Sequence, residues 1–358
     1  MPIVPLYGHR LLREQLRRAA EHDTLPASLL LHGPRGVGKQ RLALWLAQAL
    51  LCPEAGERPC GRCQSCRYAG ELGHPDLQWF FPRPRKEADA TPEEVRSDYA
   101  DAIAERVASH GLYAPTLGTE GIFVAAVRAI VRSAALSPAL GRRKVFVVGD
   151  AERMVPQEGA EAAANAFLKL LEEPPADTTL ILTSSEPGAL LPTIRSRVIA
   201  VRVGPLSDAD VREFLRDPAV REALDGSESV PSSDEERVRA AAGIPGLLLT
   251  GAARMEALSQ ARRLLSAAAS GSGADRYRLA FAQGGSRARG AFTDALDALT
   301  IVLHERVEEG VRRSDRDGAL KAARAVEVVE GAKALAQGNV SPQLVSASLL
   351  RELGEILR

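Results

Sequence analysis

Apolar and polar positions change their period along this chain, and the change divides it. From residue 29 to about 205, short continuous apolar runs alternate with stretches of helical period. Residues 29–31, 145–148, 179–182 and 198–203 read as strands, and residues 77–81 as another after the turn at His74, Pro75 and Asp76. Between them, residues 41–51 place Leu42, Trp45, Leu46 and Ala49 on one side of a helix. Residues 124–135, 161–173 and 190–196 also read as helices, the second stopped by Pro174 and Pro175. A helix over 11–21, with Leu12, Leu16 and Ala19 on one face, precedes the first strand. Such alternation predicts an α/β fold with an open parallel sheet through about residue 205.

The remainder has a different pattern. Leu206, Ser207 and Asp208 look like a cap leading into a helix over 211–215, residues 226–233 like a Ser/Pro loop, and residues 240–247 like the opening of a further helix. From about Arg254 the strand pattern disappears. Phe292, Leu296, Leu299, Leu303 and Val307 line one face of a long helix, residues 335–342 make a turn, and 343–357 form a closing amphipathic helix. Three segments follow: 1–205, 206–252 and 253–358. Within the first, residues 82–121 are irregular, with Pro82, Pro84, Pro92 and Pro115 around a charged helix over 93–108. They are expected to form an inserted surface excursion whose Arg83, Arg85 and Lys86 are a solvated charge run.

Composition narrows the partners. Lys+Arg and Asp+Glu both number 46, so the net charge is zero, and contact with nucleic acid should be a local patch; Arg128 and Arg132, at i and i+4, are candidates. The first residues, Met1 to Pro5, lack a basic region followed by an apolar core, and no apolar run is long enough to span a bilayer. A soluble intracellular protein without a membrane partner is the expectation.

Candidate chemistry sits in four places. Gly33, Gly36, Gly38 and Lys39 lie between the first strand and its helix, where a phosphate-binding loop places backbone N–H groups, a helix N-terminus and a lysine. The next residue should be Ser or Thr to bind Mg²⁺, but is Gln40. At the end of the strand over 145–148, Gly149 stands where a Mg²⁺-organising Asp is expected and Asp150 where the water-activating Glu is expected; a one-residue slip would make Asp150 the metal ligand. Thr183, Ser184 and Ser185 end another strand, placed either to sense a phosphate or to cap a helix. All four cysteines, Cys52, Cys60, Cys63 and Cys66, fall within residues 52–66, a spacing that suits a structural Zn²⁺ site with four thiolates. An iron–sulfur cluster or unrelated buried cysteines are the alternatives, and His74 is expected as a surface residue rather than a ligand.

Together these motifs resemble the clamp-loader family of bacterial DNA polymerase III, within the AAA+ (P-loop NTPase-like) class. The matching stretches are LLLHGPRGVGK, the cysteine module, HPD, GRRKVFVV, DAERM, AANAFLKLLEEPP, ILTSS and LLPTIRSRV, over about residues 6–250. The resemblance implies an AAA+ core with an inserted zinc module, a small helical lid and an all-α collar that joins subunits into a ring of five. It implies gamma/tau and delta subunits, the sliding clamp and primed DNA as partners, and the bacterial cytoplasm at the replisome as location. The family's Ser-Arg-Cys motif corresponds to Ser196, Arg197 and Val198, which makes Arg197 the candidate arginine finger toward a neighbour's ATP. The lid stretch Gly243, Ile244, Pro245, Gly246, Leu247 lacks the arginine of active members. With Gln40 and Gly149 this implies a subunit of the polymerase holoenzyme, a nucleotidyltransferase complex, with ATP/Mg²⁺ weak or absent in this chain. The alternatives are an active gamma/tau-like motor using Lys39, Asp150 and Glu152, or a stand-alone regulatory module.

Overall fold

The computed structural model describes residues 3–54, 56–84, 90–113, 120–154, 161–225, 230–270, 272–282, 289–337 and 340–357. Five parallel strands form one sheet in the order β2-β3-β4-β1-β5. They are β1 (Ser28–His32), β2 (Leu77–Phe80), β3 (Lys144–Val148), β4 (Thr178–Ser184) and β5 (Ile199–Arg202). The central strands read as near-continuous apolar runs because both of their faces are covered: β3 and β4 are buried along their whole length. Among the described residues β5 pairs only with β1, Leu29 opposite Ile199, and is largely exposed. The glycine loop follows β1, near the middle of this parallel α/β sheet.

Helices α1 (Arg10–Glu21), α2 (Lys39–Leu51), α3 (Gln64–Gly70), α4 (Pro92–Ala108), α5 (Val124–Ala134), α6 (Glu161–Glu172) and α7 (Pro192–Arg195) complete this part. α2 is buried nearly all round, through Leu42, Ala43, Leu46, Ala47 and Ala49. A second apolar cluster joins α8 (Asp208–Leu215), α9 (Pro218–Asp225), α10 (Asp234–Ala241) and α11 (Gly246–Leu249) around Val211, Phe214, Val220, Leu224 and Leu248. These elements and the sheet form one compact unit. A second unit contains α12 (Gly251–Ser270), α13 (Gly273–Ala282), α14 (Arg289–Arg312), α15 (Arg316–Gln337) and α16 (Pro342–Ile356). Its core gathers Leu264, Phe292, Leu296, Leu299, Leu303, Val329, Leu349 and Leu353. No helix among the described residues is long and apolar enough to cross a membrane.

Three expectations are corrected. Within the stretch 82–121, the described residues 90–113 are not a surface excursion: α4 starts on a capping box from Thr91 and Glu94 and buries Val95, Tyr99, Ala102 and Arg106. Arg83 is not solvated but paired with Asp98 at 3.1 Å, while Arg85 and Lys86 lie outside the described residues. Residues 240–247 do not form one continuous helix opening: Ala242 and Gly243 adopt left-handed φ values of 46° and 76°, ending α10, and the new helix, α11, opens only at Gly246. Within the expected loop over 226–233, residues 226–229 lie outside the described residues.

Candidate functional site

The loop after β1 turns through Gly36 and Gly38, with φ of 85° and 102°, into α2 at Lys39. Only glycine enters that left-handed region without strain. The Lys39 ammonium is folded back: Nζ donates to the Gly33 and Pro34 carbonyls, both at 2.9 Å, and to Ser185 Oγ at 2.8 Å. Burial lowers its pKa to about 8, against the opposing pull of Asp150 and Glu152. Two further loop carbonyls are engaged from outside. Gly246 N donates to the Gly36 carbonyl at 3.0 Å, and His9 Nε2 to the Val37 carbonyl at 3.0 Å.

Gln40 stands at the centre of a second set of contacts. Its Nε2 donates to Asp150 Oδ2 at 3.0 Å. Its Oε1 accepts from Trp79 Nε1 at 3.1 Å, from the Tyr113 hydroxyl at 3.3 Å and, at 3.5 Å, from Arg106. The Arg106 guanidinium lies 4.5 Å, 3.2 Å and 3.9 Å from the ring centroids of Trp79, Phe81 and Tyr113. Gly149 follows β3, and Asp150 takes φ of 49° while its N–H donates to Thr183 Oγ1 at 3.1 Å. Ser184 Oγ accepts from Glu186 N, so the polar end of β4 serves local backbone, Asp150 and Lys39 together. Glu152 Oε1 accepts from Ser185 N at 2.9 Å, and burial followed by Asp150 pushes its pKa up. A magnesium ion does not fit this arrangement. Gln40 Oε1, the side-chain oxygen of the residue that replaces the expected Ser or Thr, already faces three donors, one of them cationic.

The four cysteines converge. Cys52 ends α2, Cys63 is the N-cap of α3 and accepts from Cys66 N, and all four sulfur atoms lie within 4.8 Å of one another. The Cys52–Cys63 and Cys60–Cys66 separations are 4.0 Å and 3.9 Å. A tetrahedron with metal–sulfur arms of about 2.3 Å has edges of about 3.8 Å, so the set fits a metal ion. Backbone N–H groups of Arg62 and Cys63 draw the Cys60 thiol down to about 6, toward the thiolate that a metal needs; burial pushes Cys66 up. His74 is buried, which corrects the surface expectation. It accepts from Asp76 N on Nδ1 at 3.0 Å, so its Nε2 donates to Ser65 Oγ at 2.9 Å, bracing α3. Asp76 in turn accepts from Ala139, Leu140 and Gly141 N at 2.6–2.8 Å.

Arg197 lies in the turn between α7 and β5. Its Nε donates to Glu172 Oε1 at 2.6 Å and its guanidinium to the Thr193 carbonyl at 2.8 Å. It precedes the start of β5, whereas the glycine loop follows the end of the adjacent parallel β1. At about 3.3 Å per residue, the four residues from Leu29 to Gly33 already span about 13 Å, so Arg197 sits at the opposite end of the sheet from this chain's own loop. Exposed Leu191 and Ile199, 41% and 56% accessible, flank it in sequence. Arg128 and Arg132 are both exposed on α5.

Sequence reading missed Arg106, Trp79, Tyr113 and Glu172. A signal existed for the first: Arg106 continues the stripe Val95, Tyr99, Ala102 at helical spacing, where a charged residue needs a buried partner.

Comparison with known proteins follows the same residues. A family model described as DNA polymerase III, delta subunit matches residues 8–207. The chain is 34% identical over 189 residues to DNA polymerase III subunit delta' of Pseudomonas aeruginosa, covering 52% of this chain and 45% of that one. It is 27% identical over 200 residues to the Bacillus subtilis delta' subunit, covering 56% and 49%. With the gamma/tau subunit of Mycobacterium tuberculosis it shares 31% identity over 189 residues, 49% of this chain and 26% of that one. The chain thus spans half or less of the length of the curated relatives it matches. A gamma subunit-related protein of Thermotoga maritima aligns over 97% of this chain and 99% of its own, with 20% identity and a TM-score of 0.43.

Proposed function

The chain belongs to the DNA polymerase III, delta subunit family, and from that premise we propose that it is a delta-prime-type subunit of the clamp loader that supports ATP-driven loading of the sliding clamp onto primed DNA without hydrolysing ATP itself. It would sit with gamma/tau and delta subunits in a five-membered ring in the bacterial cytoplasm, at the replisome. Arg128 and Arg132 would give it local contact with DNA phosphates. Residues 206–252 act as its lid and 253–358 as its collar, and the cysteine module holds Zn²⁺.

The observation that carries this reading is the placement of Arg197. A cation at the far end of the sheet from its own phosphate loop, flanked by exposed Leu191 and Ile199, is of no use to that loop and well placed for a neighbour's. An arginine supplied in trans is worth roughly 10³–10⁵ in rate in GTPases, or about 4–7 kcal/mol of barrier. The Glu172 carboxylate and Thr193 carbonyl fix the guanidinium's direction before assembly. Loss of this chain's own hydrolysis is supported by Gln40, whose amide is committed to Asp150, Trp79 and Tyr113, and by Gly149, which offers no side-chain oxygen to a metal.

The identity to gamma/tau favours a second reading, an active motor using Lys39, Asp150 and Glu152. Two measurements separate the readings. The isolated chain should show no Mg²⁺-dependent ATP turnover, and it should co-purify with delta and gamma/tau subunits. Turnover abolished by Lys39→Ala would establish the motor reading, and failure to enter the loader would leave a stand-alone module.

A further inference from the structure

The two departures from a working magnesium site, Gln40 and Gly149, touch each other. A Cβ added at Gly149 would lie 2.6 Å from the Gln40 Cδ and Oε1 and 2.7 Å from its Nε2. Backbone geometry does not demand glycine there, because Gly149 is absent from the residues with left-handed φ. Space alone excludes a side chain, and the Gln40 carboxamide is what takes the space. A glutamine free to swing would yield easily. This one is held on both sides, by Asp150 at 3.0 Å and by Trp79 and Tyr113 at 3.1 Å and 3.3 Å, with Arg106 behind it.

Charge follows the same plan. A divalent cation would neutralise Asp150, and here the buried Arg106, braced by three aromatic rings, supplies positive charge to the same carboxylate through the Gln40 amide. We propose that Gln40, Gly149 and Arg106 are one interlocked unit that fills the divalent-cation position of the phosphate pocket with protein atoms, so that neither departure can be reverted alone. The proposal rests on the loss of hydrolysis inferred above and adds its physical cause. It also gives α4 a role: it delivers the arginine that replaces the metal.

A double-mutant cycle on the full chain tests it, with Gly149→Ala made in wild type and in a Gln40→Ala background, read by chemical denaturation and, with Trp45→Phe introduced throughout so that Trp79 is the one indole, by Trp79 emission, since that indole N–H bonds Gln40 directly. In wild type, Gly149→Ala should lower the unfolding midpoint and shift Trp79 emission. In the Gln40→Ala background the same change should shift neither. Additive midpoint shifts would overturn the proposal. Should Gly149→Ala fail to fold, the Gln40→Ala, Gly149→Ala double variant remains decisive: it folds if the clash is with Gln40 and fails if residue 149 meets something else. A metal arm adds Mn²⁺, read by electron paramagnetic resonance in the presence of ATP. Wild type and both single reversions, Gln40→Thr and Gly149→Asp, should leave Mn²⁺ in solution, because the Arg106 charge stays in place, and the two reversions combined with Arg106→Ala should immobilise it. Immobilised Mn²⁺ in either single reversion would contradict the interlock, whatever the loader's ATPase does.

Discussion

Replacing Cys63 by serine separates the metal from the local structure around it. Cys63 does two jobs: its sulfur is one of four within 4.8 Å of one another, and it caps α3 by accepting from Cys66 N at 3.3 Å. Serine is a good N-cap, so Cys63→Ser preserves the cap and removes only the thiolate. The cost should then be the metal's own contribution. A ligand that binds only the folded state at a thousandfold above its Kd stabilises by about 4.1 kcal/mol. In a unit the size of the sheet-containing part, 1 kcal/mol moves the melting temperature by about 2–4 °C, so the expected drop is about 8–16 °C. Elemental analysis should find one zinc per wild-type chain and markedly less in Cys63→Ser, and a strong chelator should lower the wild-type melt toward that of the variant. A variant that keeps its zinc and its melting temperature, or a wild-type chain carrying iron or no metal, would refute the four-thiolate zinc site.

Other expectations concern single groups. Burial alone would raise the Asp76 pKa, but N–H donation from Ala139, Gly141 and Leu140 outweighs it and holds the carboxyl below its usual range. Asp76→Asn should therefore cost about 2–4 kcal/mol at neutral pH in urea denaturation. The difference from wild type should shrink as pH falls through the depressed value, and a constant difference would argue against an ionised Asp76. Lys39 titrates near 8 when folded and near 10.5 when unfolded. Its burial penalty is full below pH 8 and is relieved between pH 8 and 10.5, where the unfolded chain holds the extra proton. Wild-type stability should thus rise over that window by up to about 1.4 kcal/mol per pH unit relative to Lys39→Met; parallel pH profiles would contradict the buried ammonium.

Much of the sheet was legible because its signal is local. The buried apolar runs at β1, β3 and β4 have no polar alternation to confuse them, and the glycine loop sits between β1 and α2 as its residues require. The cysteine cluster was legible for a similar reason, since close spacing on a short segment leaves few geometries. What was not legible depends on contacts between distant residues. Prolines and charges between 82 and 121 suggested a solvated loop, yet one stripe of α4 joins the main core, because long-range packing decides where a mixed helix lies. His74 looked like surface because histidine tolerates both settings; only the Ser65 and Asp76 contacts decide its place. The same limit hid the metal-like role of Arg106, whose partners Trp79, Phe81 and Gln40 come from other parts of the chain. Gln40 and Gly149, separate anomalies in sequence, become one feature only in the folded chain, where a Cβ at residue 149 would come within 2.6 Å of the Gln40 carboxamide.

Arg197 carries the central claim, and the direct measurement is ATP turnover by the assembled loader containing wild-type or Arg197→Ala chains. The ring should assemble equally with either, by size-exclusion chromatography, and DNA-stimulated ATPase should fall by at least tenfold at the junction this chain serves, with Arg197→Lys recovering little because a lysine cannot reproduce the planar fork. Equal turnover with an intact ring would contradict the account.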